Sequence, residues 1–283
     1  MWTYATHKLR SSLPTVQLSG PSSAGEPLTN YTWWVDFASH IASTATIPDQ
    51  YTWHMEGGTG DLLSAHDGLV RILSNYSLPM RTININEYGT FPEQVPAGSA
   101  WWISQLERID AFGLRGNWLS GFSLHDFLAS LISKHNATDS ENKTAYHKRG
   151  YFPNGDWQLY KYYAMNMTGH RIGTTPSGDL KLDAYATAGG ADGIARVLAG
   201  VRVAQGTWYV QLENLSALGL PKQGSVNVRT LAFPVGSDVH YGEIDGPRVV
   251  ATTMHAYQGD SLTLEVVQKD NTTAYAFEVG MRK

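Results

Sequence analysis

The 283-residue sequence predicts an α/β unit followed by an all-β unit. Up to about residue 175, short β-prone runs alternate with stretches whose apolar residues recur every three or four positions, the pattern of parallel βαβ units. After Pro176 the helical spacing stops, and seven short β-branched runs separated by Gly, Asn and Asp turns follow one another, as in a β-sandwich. The boundary falls in residues 173–178, which divides the chain into domains of 1–175 and 176–283. Composition agrees with a packed interior: 42% of residues are hydrophobic, and no apolar run approaches the roughly 18 residues that would cross a bilayer.

Taken in order, the chain opens with a helix beginning at Trp2. Residues 15–23 are β-prone and are closed by Gly20-Pro21. Trp33, Trp34, Phe37, Ala38 and Ile41 then recur at helical spacing and predict one apolar face, with Trp33 and Trp34 in the core. Residues 50–54 form the second strand, broken by the loop Gly57-Gly58-Thr59-Gly60, and a helix runs through Leu69 and Ile72. Residues 81–88 are the third strand. Residues 98–112 are helical, with Trp102, Leu106 and Ile109 on one face, and residues 114–119 are a fourth strand. Leu124, Phe127, Leu128, Leu131 and Ile132 make a further helical stripe. A last helix spans residues 157–167, capped by Asn154. The β-runs of the second domain are 180–188, 195–203, 207–212, 225–233, 249–257, 261–268 and 273–281. Four βα units are half of an eight-stranded TIM barrel, so the first domain reads as a partial (β/α)8 barrel, about strands 5–8, with the front half missing.

In such barrels chemistry sits where strands end. The second strand ends in His54-Met55-Glu56, the third in Asn86-Glu87-Tyr88-Gly89 and the fourth in Asn117-Trp118. A carboxylate at a strand end, beside an Asn and a Tyr that can hydrogen-bond it, suits the nucleophile of a retaining glycosidase, which must stay ionised and aimed at the anomeric carbon. Glu87 fits that place, and an exposed loop Glu or a rim ion pair fits it equally. Strict alternation puts Glu87 in phase with Ile83 and Ile85, not with Asn84 and Asn86. A bulge near Asn86 would restore the inward direction. Trp53 and Trp118 are candidate sugar platforms, with packing as the even alternative.

These segments carry a resemblance. Leu13-Pro14, Leu18-Ser19-Gly20-Pro21, Trp53-His54-Met55-Glu56, Ile83-Asn84-Ile85-Asn86-Glu87-Tyr88-Gly89 and Asn117-Trp118, in that order, resemble the second half of a clan A glycoside hydrolase. Family 39, which includes β-xylosidases and carries a β-sandwich after its barrel, is the most similar type. The resemblance implies Glu87 as nucleophile, His54 as a sugar- or nucleophile-contacting group and Trp118 as the floor of the sugar subsite, and Glu56, Asn86 and Tyr88 beside them are further candidate substrate-binding positions. The usual His-X-Tyr reads His-Met-Glu here. It also implies an acid/base Glu after an Asn on an earlier strand. Glu56 is a weaker substitute, because it enters a Gly-rich loop. The substrate implied is an oligo- or polysaccharide, with no metal and no organic cofactor, and a chain of this extent is expected to be weakly active or inactive. A non-catalytic carbohydrate-binding protein, or an inactive fragment, is the competing expectation.

Other chemistries are disfavoured by the same sequence. A net charge of −4 with no Lys/Arg cluster argues against nucleic acid, and the absence of cysteine removes thiolate zinc sites and disulfide frameworks. His54, Glu56, His66 and Asp67 lack the His-Glu-X-X-His spacing of a zinc hydrolase. The Gly57–Gly60 loop lacks the Lys-Ser/Thr of a phosphate loop. Seven of twelve asparagines open an Asn-X-Ser/Thr sequon: Asn30, Asn75, Asn136, Asn142, Asn166, Asn214 and Asn271. Chance supplies about two, so a secreted glycoprotein is expected, although the first residues have no leader-like apolar run. Oligomeric state is not legible.

Overall fold

The computed structural model describes residues 1–57, 60–116, 131–134 and 150–280. It divides into two compact units, one of residues 1–90 and 105–116, the other of residues 91–104 and 117–283. The helix α4 described below contributes to both.

The first unit is built on a parallel sheet whose order follows the chain: β1 (Ser19–Ser23), β2 (Gln50–Met55), β3 (Thr82–Tyr88) and β4 (Phe112–Arg115). Helices α1 (Trp2–Ser12), α2 (Thr32–Thr44), α3 (Leu62–Asn75) and α4 (Pro96–Arg108) precede these strands in turn. α2 buries Trp34, Ala38 and Ile41. Trp53 of β2 is fully buried edge-on to Trp34, with ring centroids 6.0 Å apart. Trp33, expected in the core, is 44% exposed and stacks on Phe37 instead. One residue turns the helix by about 100°, so Trp33 and Trp34 cannot share a face.

α3 starts where Asp61 accepts hydrogen bonds from the Ser64 N–H at 2.9 Å and the Ser64 hydroxyl at 2.7 Å. The Gln105 side chain accepts a second free helix-end N–H, that of Leu62. The expected 98–112 helix is displaced: Pro96 opens α4, as its missing N–H and fixed φ allow at a first turn, and Arg108 ends it. Asp110 then turns left-handed at φ 56° and the Ala111 N–H donates to Leu106 O. Phe112 therefore begins β4 rather than ending the helix, two residues ahead of the expected strand.

The second unit holds a six-stranded sheet in the order β12-β11-β14-β9-β8-β7 and a two-stranded sheet β10-β13, all antiparallel. Their ranges are β7 (Gly169–Ile172), β8 (Leu182–Gly189), β9 (Ile194–Val201), β10 (Gly206–Glu213), β11 (Gly224–Phe233), β12 (Arg248–Tyr257), β13 (Ser261–Gln268) and β14 (Ala274–Gly280). All seven expected β-runs are present. One core cluster joins Val197, Val201, Val226, Val228, Phe277 and Val279 of the large sheet to Leu262, Leu264 and Val266 of β13. A second cluster covers the other side of the large sheet, joining Leu198, Leu231, Phe233 and Ala276 to Ala100 and Ile103 of α4 and to Leu159 and Tyr162 of α5 (Gly155–Asn166). β8 and β9 are accordingly buried on both faces along nearly their whole length.

This placement differs from the expected boundary at 173–178. α5 and residues 91–104 belong to the β-rich unit, as does β7, which pairs with β8. Small residues make the helix approach possible: a Cβ at Gly200 would meet Ala97 O at 2.1 Å. α5 is capped as expected, Asn154 Oδ1 accepting from the Trp157 N–H at 3.0 Å. The expected 124–132 stripe lies mostly outside the described residues. Ile132, its last member, begins β5 (Ile132–Lys134) and pairs with Pro153 of β6 (Tyr151–Pro153), so it is not helical. Among the described residues no helix is long and apolar enough to cross a membrane.

Candidate active site

The two central strands of the parallel sheet sort their residues by face. Tyr51, Trp53 and Met55 of β2 and Ile83 and Ile85 of β3 are buried, while His54, Asn84 and Asn86 lie on the opposite face and are only partly buried. Left uninterrupted, that alternation would carry Glu87 to the apolar side. It is interrupted: Trp53 pairs with Ile85 but His54 pairs with Glu87, so Asn86 is an extra residue opposite the β2 strand. The bulge resets the phase. Glu87 comes out beside Asn86 and partly exposed, and Tyr88 returns to the buried side.

Three side chains meet at these strand ends. His54 Nδ1 lies 3.3 Å from Glu87 Oε2 and 3.9 Å from Glu56 Oε2. The Asn86 amide nitrogen lies 3.2 Å from His54 Nε2. His54 thus meets the Asn86 amide through Nε2 and the two carboxyl groups through Nδ1. Glu56 and Glu87 each offer a carboxyl oxygen within 4.8 Å of the other. Burial first, and then the Glu87 carboxyl beside it, push Glu56 up to about 7. Glu56 is the more covered of the two, its side chain 20% exposed against 46% for Glu87.

One donor atom each from His54, Glu56 and Glu87 lies within 4.8 Å of the others, close enough for one cation. His66, drawn into a possible cluster by sequence, instead faces Asp67 at 3.7 Å.

The remaining expected positions divide. Tyr88 is 5% exposed, and a Cβ on Gly113 would collide with its ring and with Leu106, so it packs in the core and does not reach a sugar. Trp53 is likewise a packing residue and no platform. Asn117, Trp118, Asn136 and Asn142 lie outside the described residues. Of the other sequon asparagines, Asn30, Asn75, Asn166 and Asn214 are exposed and Asn271 is half-buried. What sequence reading undervalued is the Glu56–Glu87 pairing. Its one signal was a carboxyl at the end of each of two adjacent strands.

The fold is shared with solved structures, a glucosidase and a xyloglucanase among them. No protein-family model matches the sequence, and no curated protein matches it. Solved structures do: N2152 from Neocallimastix frontalis is 19% identical, with a TM-score of 0.79 over 99% of this chain and 64% of that one. A glucosidase from Croceicoccus marinus is 12% identical, with a TM-score of 0.54 over 100% of this chain and 64% of its own. A xyloglucanase of glycoside hydrolase family 44 from Paenibacillus polymyxa is 11% identical, with a TM-score of 0.56 over 98% of this chain and 59% of its own. The chain thus spans about three fifths of these proteins. At such identities the likeness is one of fold, and none of the three names points to family 39.

Proposed function

We propose that the chain is part of a glycoside hydrolase that cleaves O-glycosidic bonds of an oligo- or polysaccharide with retention, and that Glu87 is its nucleophile. The observation that carries this is the bulge at Asn86, which turns Glu87 to the polar side of the sheet and into contact with His54. The sequential strand order is that of consecutive units of a (β/α)8 barrel, and it supports reading the first unit as part of one. In the first step Glu87 forms a bond to the anomeric carbon as the bond to the leaving oxygen breaks. Water then cleaves the resulting ester and restores the carboxylate. His54 keeps the attacking oxygen in place. By the resemblance, the proton for the leaving group comes from a Glu on a strand earlier than β1. The exposed sequons support a protein exported through a glycosylating pathway.

The test is covalent trapping. An activated 2-deoxy-2-fluoro glycoside should add the mass of one sugar to the intact chain, and peptide mapping should find it on Glu87. Glu87→Gln should take up none. Saturable sugar binding by calorimetry that persists in Glu87→Ala, with no adduct in the parent chain, would make the protein a carbohydrate-binding module instead.

A further inference from the structure

We infer that Glu56 is the positioning residue of this site, a carboxyl group that carries the proton of a two-carboxyl pair and donates it to Glu87. The inference deepens the hydrolase reading and rests on it for its kinetic consequence. Glu56 and Glu87 each offer a carboxyl oxygen within 4.8 Å of the other, and two carboxyl groups this close cannot both be ionised at low cost, so one of them keeps a proton. The geometry selects which. Glu56 is the more buried, and desolvation acts against its charged form. Glu87 is the more exposed, and its Oε2 lies 3.3 Å from His54 Nδ1. Among the described residues, the titratable groups facing Glu56 are His54 of β2 and Glu87 of β3.

Glu56 is therefore poorly suited to be the proton donor to the leaving group. A donor and a nucleophile stand about 5–5.5 Å apart to flank a glycosidic bond, whereas carboxyl oxygens of Glu56 and Glu87 lie within 4.8 Å of each other. Its part is to fix Glu87 from one side while His54 fixes it from the other. Once the glycosyl ester has formed, the Glu56 O–H remains to bond the ester oxygen on which negative charge returns during hydrolysis. Ionisation of Glu56 ends this arrangement, because two adjacent carboxylates repel and Glu87 swings out.

The experiment uses the full chain labelled with [δ-13C]glutamate and titrated by NMR as parent, Glu56→Gln and Glu87→Gln. One carboxyl resonance should titrate near pH 7 in the parent, vanish in Glu56→Gln and move towards ordinary glutamate values in Glu87→Gln. No carboxyl titrating above about pH 5.5, or one that survives in Glu56→Gln, overturns the inference. A resonance unmoved by Glu87→Gln overturns it as well, since burial alone would then hold the proton. In the trapping assay the labelling rate should fall about tenfold per pH unit above pH 7 in the parent and stay flat in Glu56→Gln. A limb that persists in a folded Glu56→Gln protein also counts against the inference. Absence of any adduct on the parent, with the NMR result intact, refutes the hydrolase reading and leaves the proton-sharing pair standing.

Discussion

A carboxyl group raised from 4.5 to about 7 binds its proton more tightly in the folded chain than in the unfolded one. Below pH 4.5 both states are protonated and the raised value has no effect on stability. Between pH 4.5 and 7 the unfolded chain gives up the proton while the folded chain retains it, so stability falls as pH rises and levels off above 7. Glu56→Gln keeps the shape of the neutral acid without its titration. Its melting temperature should match the parent's at pH 4, exceed it at pH 6 and exceed it most at pH 8, read by circular dichroism. Parallel profiles for the two proteins would show that Glu56 is not held neutral. A site residue that lowers stability is what functional placement predicts, because the pair is kept for what it does to Glu87.

At the level of the element, the one-residue bulge in β3 decides the direction of everything after it. Deleting Asn86 would leave Ile85-Glu87-Tyr88 in plain alternation, with Glu87 still on the polar side and opposite His54. Stability should then change by less than about 1 kcal/mol, because the ladder becomes regular. His54 would lose the amide that fixes its ring, and trapping at Glu87 should slow about 10–100-fold. Unfolding, or trapping at the parent rate, would refute this account of the bulge. At the start of α3, Asp61→Ala removes an acceptor from the Ser64 N–H and should cost about 1 kcal/mol in urea denaturation. The sequence made the strands and helices visible because their periods differ, and it put Glu87 at a strand end. It could not show the bulge, since an inserted residue leaves no trace in composition. It overrated Tyr88 and Trp53 because whether an aromatic ring packs or binds depends on which face it takes.

At the largest scale, residues of α4 and α5 cover one side of the six-stranded sheet. Arg196 of β9, Glu278 of β14 and Arg229 of β11 alternate with apolar neighbours along their strands. Pairing brings them into one row: Glu278 lies directly opposite Arg196 on one side and Arg229 on the other. α5 lies over this row, and the Tyr162 hydroxyl donates to Glu278 at 3.0 Å. Arg196 and Glu278 are only 6% and 8% exposed. Register between strands and the helix that roofs them are long-range facts that local pattern does not carry. Burial and the neighbouring Glu278 carboxylate raise the Tyr162 phenol well above its usual range, so it stays a donor. Glu278→Gln would leave Arg196 buried with Asp192 as its remaining carboxylate partner, at 2.5 Å. Removing one member of a buried pair costs about 3–5 kcal/mol, and the retained Asp192 puts the expected loss near 3. The urea midpoint should fall with the slope unchanged. Glu278→Leu, which fills the volume but bonds to neither arginine nor Tyr162, should lose more than Glu278→Gln. A loss below 1 kcal/mol for both would mean that apolar packing in the two clusters holds this unit together and the charged row adds nothing to it.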